Sequence, residues 1–382
     1  MSLMHWRTKL QIGFAAATAI LSGGVNGSEY TLTELTLGGK YSYAYGINNL
    51  GEVVGEAYLQ SGNSRAFITG ANGIGIRELG TFTAGNNSGA RAINEYGQVV
   101  GYAELGGMPH AFITGYGGIG LTDLGTFGGD YSLGMGLNDY GQVVVTSTTL
   151  GSPPYNPSSQ SFFTGPNGQG ITQLSQPDSK YSYAHGINNQ GQVIWEEDWG
   201  GFITGFGGSG RIPLGDLHVG YRSNSSTPYA INNSGQVVGN AIAGLPFSTQ
   251  AFITGPSGTN MIELGTLGGN ASYAYGINEI GQVVGLSGMP DGSDHAFVTG
   301  PNGMGMTDLN WFATLPNGGY LRYASGINDW GQIIATDNQN RSYLLTRIAE
   351  SPALVSEPST AALLALGLLG LRTIRRGNRV VF

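Results

Sequence analysis

Large and small residues alternate along Tyr41-Ser42-Tyr43-Ala44-Tyr45, which is the two-residue period of a β-strand. A turn signal follows in Asn48-Asn49-Leu50-Gly51: the Asn48 side chain can cap the turn, and Gly51 supplies a positive φ. The next stretch, Glu52-Val53-Val54-Gly55, is short and apolar and predicts a second strand. Ala66-Phe67-Ile68-Thr69-Gly70 and Glu78-Leu79-Gly80 lie on either side of a Gly- and Asn-rich linker and predict a second hairpin. The unit they make is four short antiparallel strands.

The same phrases recur along the chain. Equivalent asparagines stand at Asn48, Asn94, Asn138, Asn188, Asn232, Asn278 and Asn328, with spacings of 46, 44, 50, 44, 46 and 50. Glycine follows three residues later each time, at Gly51, Gly97, Gly141, Gly191, Gly235, Gly281 and Gly331. Small residues stand two and four places before the asparagine, as in Gly46 and Ala44 or Gly276 and Ala274, and Ile or Leu stands one place before it. A strand with one flat face and one bulky face suits sheets stacked like blades. A four-stranded repeat of about 47 residues falls between known propeller repeat lengths of roughly 40–45 and roughly 50. Seven copies lie within the usual four to eight blades. A β-helix needs a shorter coil, and a leucine-rich repeat needs helical patterning that is absent. Glu34-Leu35 reads as the closing phrase of the first copy, which completes seven sets. The expectation is an all-β chain whose residues 30–348 form a β-propeller of seven four-stranded blades.

These phrases resemble the HAF family of extracellular repeats, named for a His-Ala-Phe tripeptide. His110-Ala111-Phe112 and His295-Ala296-Phe297 match it outright, whereas Arg65-Ala66-Phe67 and Gln250-Ala251-Phe252 lack the histidine. The resemblance covers roughly residues 30–348 and implies an exported repeat domain. It brings no catalytic residues with it.

Both ends read as addresses. Arg7 and Lys9 precede a twelve-residue apolar run at 10–21, and small residues before Ser28 suit a secretory signal over 1–27. At the far end, a linker over 349–358 leads to Ser356-Glu357-Pro358-Ser359-Thr360, an apolar run at 361–371, and Arg372, Arg375, Arg376 and Arg379. Eleven helical residues span about 16 Å, roughly half of a ~30 Å hydrocarbon core, so a transient inner-membrane contact is expected and not a permanent anchor. The arginines keep that end cytoplasmic and leave what precedes it outside. Residues 356–382 resemble the PEP-CTERM sorting tail, with Ser356 where that family usually has proline. The resemblance implies processing by an exosortase-like enzyme of a Gram-negative bacterium that makes exopolysaccharide, and a final place at the cell surface or in the extracellular matrix.

Composition sharpens the picture. Charged residues make up 10% of the chain, well under the roughly 25% of ordinary soluble domains, and glycine is abundant at 67 residues with no collagen period. Cysteine is absent, which excludes disulfides and thiolate sites. Residues 1–27 and those beyond Pro358 hold six basic and no acidic side chains, so the body carries 10 basic and 24 acidic groups, a formal charge near −14. Such a body is a poor nucleic-acid binder.

Candidate chemistry is sparse. His5, His110, His185, His218 and His295 have no zinc-ligand spacing, and the Asn/Asp turns lack a calcium-loop ligand set. No hydrolase elbow, phosphate loop or dinucleotide fingerprint stands in context, and no cofactor is expected. One local departure is Trp195-Glu196-Glu197-Asp198-Trp199, where Trp195 replaces the glycine that ends the second strand in other copies. Three acids between two tryptophans on a tight hairpin can stack a sugar or gather a cation. The residue three places before each repeat asparagine also varies: Tyr45, Arg91, Met135, His185, Tyr229, Tyr275 and Ser325. One variable slot in a regular repeat is how repeat proteins build a binding face. The sequence therefore points to a non-catalytic binding or structural protein with exopolysaccharide as first ligand, through Trp195, Glu196, Glu197, Asp198 and Trp199, and secondarily Tyr45, His185, Tyr229 and Tyr275. The alternative is a carbohydrate-active enzyme, a glycosidase or lyase, on the same scaffold.

Overall fold

A computed structural model describes residues 29–348, apart from 84, 150–157, 199, 218–224, 244–247 and 317. The expected signal at 1–27, the linker at 349–358 and the sorting tail at 356–382 lie outside the described residues. All sheets belong to the unit Met1–Arg347.

The described residues form seven four-stranded antiparallel sheets, arranged as the seven blades of a propeller. Blade 1 runs Ser42–Ile47, Val53–Tyr58, Ser64–Ile68, Arg77–Gly80 from axis to rim. Blades 2 to 6 repeat this order over 88–125, 132–173, 182–213, 226–265 and 272–308. The inner strands touch one another round a closed ring, the last of them, Leu321–Ile327, returning to Ser42–Ile47.

The ring closes differently from the sequence expectation. Glu34-Leu35 does not serve blade 1, whose outer strand is Arg77–Gly80. Instead Tyr30–Leu35 pairs antiparallel with Ser342–Arg347 and forms the outer strand of blade 7, with Tyr30 opposite Arg347 and Leu35 opposite Ser342. Without it the last blade would present a bare row of backbone donors and acceptors. Leu35, Ile334 and Leu344 from that blade pack with Ala44, Val53 and Phe67 of blade 1, so one apolar cluster joins both ends of the array.

The core is a set of slabs between neighbouring blades. Val54, Ile68 and Leu79 of blade 1 meet Ala90, Val99 and Phe112 of blade 2, for example. The phenylalanine of the Ala-Phe-Ile phrase is fully buried in four blades, at Phe67, Phe112, Phe252 and Phe297. The small residues on the inner strands have the expected reason. A Cβ on Gly276 would lie 2.9 Å from the Cα of Gly326 in the next blade, and one on Gly136 would lie 3.1 Å from that of Gly186.

The repeat asparagine caps its turn as expected and also does something the sequence did not announce. Asn138 Oδ1 accepts from the backbone N–H of Tyr140 and of Gln142, at 3.1 Å each. Its amide then donates to Gln142 Oε1 at 2.8 Å and to the carbonyl of Asn188 in the next blade at 3.1 Å. The interblade bond repeats round the ring from Asn48 to Asn94 and onward, and Asn328 returns to Asn48 at 3.0 Å. An amide alone offers two acceptor sites and two donors on so short an arm. Serines at the start of inner strands tie blades at a second level. Ser132 Oγ accepts from Ala111 N–H at 2.8 Å and donates to the Gly125 carbonyl at 2.6 Å, which fixes the Ala-Phe and Leu-Gly phrases of the preceding blade.

Candidate functional site

The segment 195–199 is the hairpin between the second and third strands of blade 4, Val193–Glu197 and Gly200–Ile203. Its first tryptophan is not an exposed aromatic: Trp195 is 1% exposed and stacks on Phe202 with ring centroids 5.4 Å apart. Its indole N–H donates to Glu197 Oε2 at 3.1 Å. The same carboxylate accepts from the Gln176 backbone N–H at 2.8 Å and pairs with Arg211 at 3.1 Å, and the Arg211 guanidinium lies 3.9 Å over the Phe202 ring. Glu197 is thus a buried anchor for the blade, saturated by its neighbours. Trp199 lies outside the described residues.

The other two acids face a cavity. Glu196 stands directly across the strand pair from Tyr183, and Asp198 sits in the turn with φ 46°, its backbone N–H donating to the Tyr181 carbonyl at 2.9 Å. Tyr181, Tyr183, Glu196 and Asp198 line a pocket of about 260 Å³. Asp198 Oδ1 accepts from the N–H of Lys180 at 3.2 Å and of Tyr181 at 3.3 Å. Burial raises the Glu196 carboxyl above its ordinary value, and a hydrogen bond with the Thr227 hydroxyl partly offsets this.

The variable slot is a structural device. In all seven blades it is the extra residue of a β-bulge on the inner strand, as at Tyr45 between the paired Ala44 and Gly46. A bulge leaves its residue without a cross-strand partner and re-aims the side chain. Here several of the side chains meet the inner strand of a neighbouring blade. His185 packs edge-on against Tyr229 at 5.5 Å, Tyr229 against Tyr275 at 5.4 Å, and Tyr275 reaches Tyr323 at 6.3 Å. On the opposite arc the Arg91 guanidinium lies 4.2 Å over the Tyr45 ring. Tyr45, His185, Tyr229 and Tyr275 therefore belong to a collar whose members contact one another. His185 Nε2 is buried without a hydrogen-bond partner, and burial lowers the imidazole pKa to about 4. Burial pushes the Tyr229 phenol up to about 12, with the charge of Glu196 adding to the effect. Collar and pocket are thus electrostatic neighbours.

Sequence reasoning missed Tyr181 and Tyr183. They stand in the Tyr-Ser-Tyr phrase that marks an inner strand, and they read there as strand residues only. Their place follows from the register: the bulge at His185 sets Tyr183 opposite Glu196, and the sequence carries no mark of that bulge. The histidines of the His-Ala-Phe phrase reach diagonally to the outer-strand acids that stand opposite the phenylalanines, His110 to Asp123 at 3.1 Å and His295 to Asp308 at 2.7 Å. Among the described residues no three His, Asp or Glu gather in a way that could hold a metal ion.

No protein-family model and no curated protein matches the sequence. Solved structures are similar in fold. An oligogalacturonate lyase in complex with manganese is 10% identical with a TM-score of 0.55, over 86% of this chain and 96% of that one. The oligogalacturonate lyase of Vibrio parahaemolyticus is 12% identical at 0.55, over 84% and 94%. The protein YCF48 bound to D1 peptide is 10% identical at 0.53, over 87% and 100%. At such identities the likeness is one of fold: the chain is a seven-bladed β-propeller.

Proposed function

We propose that this chain is an exported surface or extracellular-matrix protein whose propeller binds glycan without catalysis, with the exopolysaccharide of the producing cell as its ligand. The observation that carries the reading is the pocket in which two tyrosine rings stand with the carboxylates of Glu196 and Asp198. Sugar rings offer C–H faces that pack on aromatic surface, and their hydroxyls donate charge-assisted hydrogen bonds to carboxylates. The volume suits one sugar unit of a longer chain more than an enclosed oligosaccharide. With two acids and, among the described residues, no basic one lining it, the pocket suits a neutral sugar better than a uronate.

The non-catalytic reading rests on the state of the acids. A glycosidase sets two carboxyl groups across the scissile bond. Glu197 is saturated by Trp195, Gln176 and Arg211, and Asp198 Oδ1 is engaged by two backbone N–H groups, so the hairpin does not set two free carboxyl groups across the pocket. Export is supported by the amino-terminal apolar run and by the tail that joins Ser356-Glu357-Pro358 to its arginines, a substrate for an exosortase-like enzyme by its resemblance.

Tyr183→Ala tests the reading, because that side chain is exposed and carries no core packing. Loss of one stacking ring, about 1–1.5 kcal/mol, predicts roughly tenfold weaker retention on the producing organism's exopolysaccharide with the thermal midpoint nearly unchanged. Unchanged retention by a folded variant would leave the propeller a matrix component without this site.

A further inference from the structure

The face opposite the pocket carries the turns of the asparagine ring. The two residues after each ring asparagine read Asn49-Leu50, Glu95-Tyr96, Asp139-Tyr140, Asn189-Gln190, Asn233-Ser234, Glu279-Ile280 and Asp329-Trp330. The first of each pair, with six of the ring asparagines and the Ile/Leu residues before the ring positions, lines a mouth of about 400 Å³ at the propeller axis. Backbone N–H groups fix these side chains round the rim. Glu95 N–H donates to Asp139 Oδ1 at 3.0 Å, and Glu279 N–H donates to Asp329 Oδ1 at 2.9 Å. Among the described residues no basic side chain lines the mouth. The second of each pair points outward: Leu50, Tyr96, Tyr140 and Ile280 are more than half exposed, and Trp330 is 76% exposed.

Two properties vary in phase round this face. The four acids Glu279, Asp329, Glu95 and Asp139 stand in blades 6, 7, 2 and 3. The five large apolar residues stand in blades 6, 7, 1, 2 and 3, an unbroken arc. Blades 4 and 5 carry amides followed by Gln190 and Ser234. An exposed apolar arc along one side of an acidic mouth is a surface that water covers poorly and that a complementary partner covers well.

We infer that this arc docks a polypeptide partner that presents an arginine, flanked by apolar side chains, on a protruding loop. The arginine enters the acidic mouth while its neighbours pack on Leu50, Tyr96 and Trp330. Guanidinium is the better fit than ammonium, because it is more weakly hydrated and stacks on aromatic rings. Burial raises the carboxyls of Glu95 and Glu279, and the charge of Asp329 adds to both, a repulsion that a bound cation relieves. A second copy of this chain, face to face, would set acid against acid. An anionic membrane meets the same repulsion, and a cationic polysaccharide lacks the apolar flanks that five exposed hydrophobic residues call for.

The test is selection of a displayed library of cyclic peptides with random loops on the full chain. Recovered loops are expected to carry arginine beside apolar residues. Their binding should weaken at least tenfold with Trp330→Ser, and about tenfold with Glu279→Gln combined with Asp329→Asn, which keep an acceptor for each neighbouring backbone N–H. Gln190→Ala and Ser234→Ala, outside the arc, should leave binding unchanged. The proposal is overturned if no loop is enriched, if enriched loops lack a basic residue, or if both the Trp330 and the amide variants bind as the parent does. Phosphatidylglycerol vesicles and chitosan oligomers run beside the peptides; Trp330-dependent binding of either in place of peptide also overturns it.

Discussion

The asparagine ring and the blade 4 hairpin solve opposite problems with the same chemistry. In the ring, one side chain is repeated seven times and every hydrogen-bonding group it owns has a partner, one of them in the next blade. In the hairpin, one blade departs from the repeat, and Trp195, Glu197 and Arg211 make a network round the indole; blade 7 sets another buried carboxylate at the same place, where Asp337 pairs with Arg341 and accepts from the Tyr343 hydroxyl. The ring gives every pair of neighbouring blades one identical tie, beside the apolar slabs whose residues differ from copy to copy. The hairpin shows what variation needs, since a large residue in a glycine position requires its own hydrogen-bond partner and its own packing surface. Two acids of the hairpin are thereby left for the pocket and one is taken by the fold.

Breaking the ring should have the largest effect. Asn138→Asp removes both donors and sets a carboxylate against the Asn188 carbonyl and Gln142, which should cost about 3–5 kcal/mol in a denaturant melt. Acid should restore part of that loss, because a protonated carboxyl regains one donor. A cost under ~1 kcal/mol would mean that the ring hydrogen bonds contribute little to cohesion.

Breaking the hairpin network comes next. Glu197→Ala strands the indole N–H of Trp195 and the backbone N–H of Gln176 and should cost about 2–3 kcal/mol, with Arg211 partly rescued by solvent. Weaker glycan retention at unchanged stability would instead make Glu197 a ligand contact and dissolve the contrast between anchor and pocket.

The smallest effect lies in the collar. Burial holds His185 at a pKa of about 4, below the 6.5 of an unfolded chain. Between those values the unfolded state binds a proton that the folded state refuses, so stability falls as pH drops from about 6.5 towards 4. His185→Phe should flatten that part of the stability profile, and an imidazole NMR titration near 6.5 would remove the explanation.

Much of this fold is legible in the chain. Asn-x-x-Gly at 44–50-residue spacing marks the turns, and all seven glycines adopt the positive φ that the turn demands, from 70° to 76°. Small residues before the asparagine mark the crowded inner strands. The variable slot was legible as variable, yet nothing in Tyr45, Arg91 or Met135 identifies a bulge, because a bulge is a mismatch between two strands and is not a property of either. Tyr181 and Tyr183 were likewise visible as strand residues and invisible as pocket walls.

The sequence by itself determined the repeat, its number and the four strands of each copy, because periodicity and turn chemistry act within a few residues. Tertiary structure alone decided which strand closes the ring. Glu34-Leu35 lies next to blade 1 in the chain, but the unpaired edge was in blade 7, some 300 residues away, and satisfying a sheet edge is a demand of the assembled molecule. It also decided that Asn328 would bond Asn48, that Glu196 would share a pocket with Tyr181, and that acids and apolar residues from five blades would form one arc. Residues about 44–50 positions apart become neighbours only when the sheets stack round an axis, and no local pattern encodes that proximity.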